Sequence, residues 1–357
     1  MKDIVHIVGN RPQFIKLAVL YQELKKTGQV NQQIIHTGQH ASPEMSDIFF
    51  KQLNIPQPDL LLQPAGNGHP DAFIADVTMS LQQYFSEQNN KVALVYGDTN
   101  TTLAASIAAR RSGTPLFHFE AGIRTGDNSM PEEINRILTD RLADTNYCCT
   151  FQNYQAMLDE GYGNSIKSRV VQSGDLMYDA FLKIPFAENK LVAEKNYVAC
   201  TIHRVANILS KEKLSSIIEA LNAIHKKIAV VLPLHPHTQK RIMEYGLLPS
   251  FIILPPIGYP EMKTLLAGSY YVITDSGGAA REAFFSGKKS VVVMEKPFWP
   301  EIIEASCGIN TSADTEQIVR SFHQLPSLAS NFQTPIFGSG NAAQIIAGDL
   351  LAYLNVA

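Results

Sequence analysis

The sequence is short of several things, and each shortage excludes a class of protein. It holds one tryptophan and four cysteines in 357 residues. No two cysteines stand as C-x-x-C, so neither a zinc site nor a disulfide framework is expected. Cys148, Cys149, Cys200 and Cys307 read as reduced, small hydrophobic side chains. No apolar run approaches the roughly 18 residues of a membrane helix. The opening "MKDIV" runs straight into a strand pattern and lacks a signal peptide's layout. A net charge of -3 supplies no attractive field for nucleic acid. These absences predict a cytoplasmic protein with no membrane, nucleic-acid or metal partner and no cofactor.

What is present is ordinary globular material in a regular order. Hydrophobic residues make up 45% of the chain and charged residues 18%, enough for two cores at this length. Short apolar runs alternate with helical patterns. Strands are expected at 4–8, 33–36, 92–96, 116–119 and 146–149, with helices at 13–25, 101–111 and 132–143 between them. The pattern restarts with strands at 197–201, 228–232, 251–254, 270–274 and 290–294 and helices at 210–227, 278–287, 315–325 and 341–353. Such β-α alternation predicts an α/β chain of two Rossmann-like doubly wound domains joined near 179–196. Their strand C-termini are expected to face one central cleft.

The chemistry sits at those strand ends. "FHFEAGIRTGDNSMPEEINR", residues 117–136, carries an apolar run into Glu120 and then opens a helix with Glu132 and Glu133. "YGDTNTT", 96–102, places Asp98 at another strand end, where helix capping is the ordinary use of an aspartate. Three acids at one sheet edge exceed what capping requires. Glu133 is left to capping and helix-end electrostatics. "DSGGAAREA", 275–283, is a strand-to-helix turn in which the N–H groups of Ser276, Gly277 and Gly278 would be free for a phosphate. Glu282, one turn on, would accept from ribose hydroxyls or else be a solvated helix charge. "GNRPQFIK", 9–16, offers Arg11 and Lys16 to an anion, or two surface cations around a Pro-started helix. "TIHRVAN", 201–207, and "PLHPH", 233–237, add His203, Arg204 and His235 on the corresponding edge of the second sheet. An H-E-x-x-H metal motif is absent.

Taken in order, "GNRPQFIK", "HTGQH", "YGDTNTTLA", "EAGIRT", "PEEINRILTD", "GDLMYDA", "TIHR", "PLHP", "DSGG" and "PEIIEA" resemble the UDP-N-acetylglucosamine 2-epimerase family over nearly the whole chain. The resemblance implies the two-domain B-type glycosyltransferase fold. The first domain would be 1–178 plus a C-terminal helix returning at 343–357, and the second, UDP-binding, would be 179–342. It implies a homodimer acting on a UDP-sugar in the synthesis of cell-surface polysaccharide precursors. By position, Asp98, Glu120 and Glu132 match the family's catalytic acids and His203 the histidine near the diphosphate. Arg11, Lys16, Ser276, Gly277, Gly278 and Glu282 match nucleotide contacts, and Arg204 and His235 join the substrate-binding group. "HIVGNRPQFIK", "GDLMYDA", Phe284-Phe285 and Trp299 look like the branch acting on acetamido-uronic acid nucleotides such as UDP-2,3-diacetamido-glucuronate.

The chain also departs from the family's pattern. Ala206 stands where the family has Glu, Ala280 where it has Gln, and Trp299 where its main branch has Arg. After "GQH", "ASPEMSD" lacks the segment that binds an allosteric second substrate in some members, so that regulation is not expected. The chemistry implied is C2 inversion of a UDP-2-acetamido sugar by elimination of UDP to a glycal and re-addition. The alternatives are a hydrolysing 2-epimerase, a glycosyltransferase of the same fold, and a nucleotide-sugar binding protein without turnover.

Overall fold

The computed structural model of the chain describes residues 3–39, 50–65, 68–87, 91–188, 192–194 and 196–356. The Val- and Ile-rich runs lie in two sheets whose strand pairs are all parallel. The first holds β1 (Asp3–Val8), β2 (Asn31–His36), β3 (Leu60–Leu61), β4 (Lys91–Tyr96), β5 (Leu116–Ala121), β6 (Thr145–Cys148) and β7 (Arg169–Gln172). Its order is β3-β2-β1-β4-β5-β6-β7. The second holds β8 (Tyr197–Thr201), β9 (Ala229–Pro233), β10 (Ile252–Leu254), β11 (Tyr271–Thr274), β12 (Ser290–Val293) and β13 (Gly308–Thr311), in the order β10-β9-β8-β11-β12-β13. In both, strand order reverses beside the first strand, between β1 and β4 and between β8 and β11. A crevice at strand C-termini opens at such a reversal, where doubly wound sheets take their ligands.

Apolar side chains on the sheet faces explain why the strands read as continuous runs. In the first unit Val5, Ile7, Ile35, Ala93 and Val95 pack against helices Pro70–Ser86 and Asn100–Arg111. Ala104, Ala105, Ala108 and Ala109 keep the second of these helices slim where Phe73, Val77, Leu81 and Phe85 press on it. In the second unit Val198, Cys200, Val230, Leu232 and Ile273 pack under helices Lys211–His225 and Thr315–Gln324. The four cysteines are free thiols, all buried. Burial pushes the thiols of Cys148 and Cys200 well above their ordinary range, and that of Cys307 to about 11.

The chain divides into Met1–Lys183 with Pro335–Ala357, and Ile184–Thr334. The sequence placed these breaks at 178/179 and 342/343. Asp179 accounts for the difference. Its fully buried carboxylate accepts from the backbone N–H of Ala342 (3.0 Å) and Ala343 (2.9 Å), at the start of helix Ala342–Val356. The Asp175 N–H also donates to the Phe337 carbonyl at 3.0 Å. Helix Leu176–Lys183 and the segment before the C-terminal helix therefore belong to the first unit. Further along that helix Asp349 accepts from the Tyr147 hydroxyl at 2.7 Å and pairs with Arg169 at 2.7 Å.

Several elements were not expected: helices Pro70–Ser86, Phe151–Asp159, Leu176–Lys183, Pro236–Glu244 and Tyr259–Gly268, and strands β3, β7 and β13. Among the described residues no helix is long and apolar enough to cross a membrane, and no group of three or more His, Cys, Asp or Glu is set to hold a metal. His40 and the "ASPEMSD" stretch fall outside the described residues.

Candidate active site

The first strand-end cluster is built by β1, β4 and β5. After β1 the chain turns through Asn10, which caps helix Arg11–Thr27 in a capping box with Gln13. Gln13 is buried, and its amide spans the reversal point of the sheet. Its Oε1 accepts from Gly9 N–H (2.6 Å), and its Nε2 donates to the Tyr96 carbonyl (2.8 Å) and the hydroxyls of Thr99 and Thr102 (3.0 Å each). The turn carrying Arg11 is thereby tied to the turn carrying Asp98. Arg11 is half-buried, and burial lowers its pKa from the usual arginine value.

Asp98 is not the helix cap. Thr99 is, its side chain accepting from Thr102 N–H at 3.3 Å. Asp98 instead accepts from Arg136, whose guanidinium also pairs with Glu133. The Asp98 side chain is 29% exposed, against 1% for both Arg136 and Glu133. Its carboxylate can therefore meet a ligand while its position is set from beneath. Asn135 Nδ2 donates to the Asp98 carbonyl at 3.0 Å.

Glu133 is a correction to the sequence reading. It is a buried organiser, accepting from the N–H groups of Thr125 (2.9 Å) and Gly126 (2.8 Å). Burial acts to raise its pKa. The Gly126 and Thr125 N–H groups and Arg136 overcome that, and the net shift is downward. Glu132, one residue earlier, is exposed on the first turn of helix Pro131–Leu142, and the structure places it in no hydrogen bond or ion pair with the other two acids.

Glu120 is reached by a backbone irregularity. It has φ +71°, in the left-handed region that favours glycine, and the β5–β6 register shifts between Phe119 and Ala121. An L-residue pays about 1–2 kcal/mol for that conformation. A bulge re-aims one side chain at a strand end, and such features gather at functional sites. The Glu120 carboxylate pairs with Lys16, whose side chain is 5% exposed against 14% for Glu120. Lys16 is thus no surface cation, and its ammonium is committed to Glu120. A small cavity beside this pair is lined by Phe119, Tyr147, Cys149 and Ser173.

The second cluster lies where β8 and β11 meet. Asp275, fully buried at the end of β11, accepts from the N–H groups of His203 (3.0 Å) and Arg204 (2.9 Å) and from Asn207 Nδ2 (3.1 Å). His203 is half exposed, with Nδ1 3.6 Å from Asp275. The Arg204 guanidinium lies 4.8 Å from the Phe298 ring centroid. Ser276 caps helix Gly277–Phe285 through its side chain. Its own N–H is not free as expected, because it donates to Thr274 Oγ1 at 2.9 Å. Of the three N–H groups expected to be open to a phosphate, this leaves those of Gly277 and Gly278. A Cβ added at Gly277 would lie 2.6 Å from Phe298 Cδ2, so any side chain there would push the Phe298 ring aside. Trp299 Nε1–H donates to the Gly277 carbonyl at 3.0 Å, and the Arg281 guanidinium lies 5.0 Å from the Trp299 ring centroid. Trp299 thus braces the glycine turn. Glu282 is buried, not a solvated charge. His235 is exposed and caps helix Pro236–Glu244, its Nδ1 accepting from His237 N–H at 3.3 Å. Ala206 is exposed on the short helix Val205–Ile208, and Ala280 is buried.

The residues that sequence reasoning passed over are Gln13, Arg136 and Asp275, each of which holds a predicted residue in place. Arg136 alone left a signal, three residues after Glu133 on one helix face.

Comparison with known proteins gives a single picture. A profile of the family described as UDP-N-acetylglucosamine 2-epimerase matches residues 22–351. A UDP-2,3-diacetamido-2,3-dideoxy-D-glucuronate 2-epimerase of Pseudomonas aeruginosa is 38% identical over 96% of this chain and 98% of its own length. The crystal structure of Methanocaldococcus jannaschii UDP-GlcNAc 2-epimerase in complex with UDP-GlcNAc and UDP superposes with a TM-score of 0.90 at 30% identity, covering 98% of this chain and 99% of that one. The Neisseria meningitidis UDP-GlcNAc 2-epimerase bound to UDP-GlcNAc follows at 0.85 and 28%, covering 98% and 100%. With Phytolacca americana UGT2 the likeness is one of fold alone, a TM-score of 0.58 at 8% identity. The two parallel-sheet units are those of the B-type glycosyltransferase fold, and the chain belongs to the UDP-N-acetylglucosamine 2-epimerase family.

Proposed function

We propose that the chain inverts C2 of a UDP-2-acetamido sugar by eliminating UDP and adding it back, so that nothing is hydrolysed overall. The supporting observation is the strand-end pair Glu120–Lys16, aimed by a left-handed bulge, with Asp98 fixed one strand away. The C2 proton of such a sugar is not adjacent to a carbonyl, and direct removal is too costly. Breaking the C1–O bond sends its electron pair to the UDP phosphate oxygen. A carboxylate takes the C2 proton, and C1=C2 forms. Reprotonation on the opposite face and attack of the UDP oxygen on C1 complete the inversion. Carboxylates at two positions supply the acid and base, and the leaving diphosphate needs a positive, donor-rich turn.

In this reading Asp98, Glu120 and Glu132 exchange protons with the sugar. His203 meets the diphosphate, and the Gly277 and Gly278 N–H groups at a helix N-terminus receive it, with Ser276 adding only its hydroxyl O–H. Arg11, Arg204 and His235 supply further contacts, and Glu282 takes the ribose hydroxyls. Lys16 acts chiefly through Glu120, holding that carboxylate in position. The greater identity to the diacetamido-glucuronate relative favours an acetamido-uronic acid substrate over UDP-GlcNAc. The protein works as a cytoplasmic homodimer in polysaccharide precursor synthesis, and light scattering in solution checks the dimer.

The test is to incubate the protein with each UDP-sugar separately and resolve the products by anion exchange and NMR. The C2 epimer still carrying UDP, formed faster from the uronate, is the expected result. Free sugar with stoichiometric UDP makes the chain a hydrolase. Binding without any product removes both catalytic readings.

A further inference from the structure

One buried pair lies beneath the acids and belongs to neither strand-end cluster. His118 lies on β5 and Asp140 on helix Pro131–Leu142, and both are fully buried. His118 Nδ1 meets Asp140 Oδ1 at 2.7 Å, and its Nε2–H donates to the Gly97 carbonyl at 2.8 Å. Asp140 Oδ2 in turn accepts from Gly122 N–H at 3.2 Å and from Arg124 Nη1 at 2.7 Å. Arg124 continues outward to Glu160 in a two-pronged pair, at 2.7 and 3.0 Å.

The placement of these partners is what matters. Gly97 directly precedes Asp98. His118 and Gly122 lie two residues before and two residues after Glu120. Asp140 sits on the helix whose first turn carries Glu132. One buried pair thus touches all three chain segments that carry the acids, and it grips the Glu120 bulge from both sides. Resting on the functional reading above, we infer that His118 and Asp140 are positioning residues that hold Asp98, Glu120 and Glu132 in register for proton transfer at the sugar.

A purely stabilising role explains the pair poorly. Replacing a buried charge and its partners with apolar side chains is often neutral or favourable for stability. Here that exchange would orphan the Gly97 carbonyl and the Gly122 N–H, the two backbone groups that define the Asp98 turn and the far side of the bulge. Asp140 stays ionised at this depth. Burial works to raise its pKa, while His118 and Arg124 bring it down overall. Gly122 makes the arrangement unforgiving, with φ +79° and no room for a Cβ beside the Asn153 carbonyl.

The test compares wild type, H118Q, D140N and the double variant as full-length chains. Two readouts are taken: steady-state epimerisation, and amide hydrogen exchange followed by mass spectrometry. Misplacing reacting groups by about 1 Å costs about 100-fold in rate. Both single variants are expected to lose about 100-fold in kcat while KM stays within about twofold, since the interaction is realised in the transition state. Amide protection should fall at 97–100 and 119–126 and stay unchanged in β8 to β13. The double variant should be little worse than either single one, because the residues act as one unit. A folded variant with wild-type kcat overturns the inference, and so does a loss of protection spread across the first unit with kcat and KM failing together. Should H118Q not fold, D140N, which keeps volume and one acceptor oxygen, decides. If wild type itself shows no epimerisation, the functional reading has failed. The exchange data then judge the clamp alone: loss confined to the two segments upholds it, and no local loss overturns it.

Discussion

Arg136→Met removes the cation between Asp98 and Glu133 while nearly keeping its volume. The structure sets the cost. Arg136 and Glu133 side chains are each 1% exposed, so Glu133 cannot turn to water when its partner goes. Breaking a buried pair from one side costs about 3–5 kcal/mol. Glu133 keeps the Thr125 and Gly126 N–H groups, and Asp98 is exposed enough to rehydrate. Both facts put the loss at the lower end, about 3 kcal/mol. For a unit of this size 1 kcal/mol shifts Tm by about 2–4 °C, so the first unit should melt roughly 6–12 °C lower. Calorimetry suits the measurement, since two units need not unfold as one transition. The variant also changes the pH response. The folded pKa of Glu133 lies below its unfolded value, so its contribution is present above about 4.5 and lost as pH falls further. Without Arg136 that gap narrows, and the acid-side loss of stability should be shallower than in wild type. A Tm change under about 2 °C at neutral pH, or an unchanged acid limb, would show that Arg136 does not hold Glu133.

Four further outcomes follow from the same geometry. Glu120→Gln should lower epimerisation by about 10²–10⁴-fold with UDP affinity kept, read by kinetics and calorimetric titration; near-normal turnover excludes Glu120 from proton transfer. Trp299→Phe removes the bond to the Gly277 carbonyl, worth about 1 kcal/mol, and should weaken UDP binding about fivefold; an unchanged Kd means the turn holds without the indole. Gly122→Ala forces a left-handed backbone and a clash with Asn153, and should cost at least about 2 kcal/mol in chemical denaturation. Asp179→Ala strips the cap from helix Ala342–Val356 for about 1–2 kcal/mol and should expose that helix to limited proteolysis; wild-type resistance would show that Asp349 suffices to dock it.

Periodicity and punctuation carried most of the fold. The strand at 197–201 was read to the residue, and most other predicted elements to within one or two, because buried parallel strands and Pro- or Ser-started helices announce themselves locally. Helix Pro70–Ser86 also carries a legible stripe, Phe73, Val77, Leu81 and Phe85, and was passed over; β13, "GINT", has too few apolar residues to signal a strand. At the site, Asp98 and Glu120 were legible because an acid at the end of an apolar strand is costly. The left-handed turn at Glu120 was not, since its letters suit an extended residue equally well. Glu133 misled because a first-turn glutamate is usually solvated, and only the loop at 125–126 folding over it shows otherwise. Ser276 misled in the same way, since the Thr274 hydroxyl that takes its N–H lies on the preceding strand.

Proton exchange at C2 of a sugar that ends still bound to UDP is the core of the proposed reaction. It is tested most directly by following C2 by NMR during turnover in deuterated water, with UDP-GlcNAc and with UDP-2,3-diacetamido-glucuronate in separate reactions. Deuterium is expected at C2 of the nucleotide-linked product, with faster incorporation from the uronate. Epimer that retains its original C2 hydrogen, or no exchange with either sugar while UDP binds normally, would contradict it.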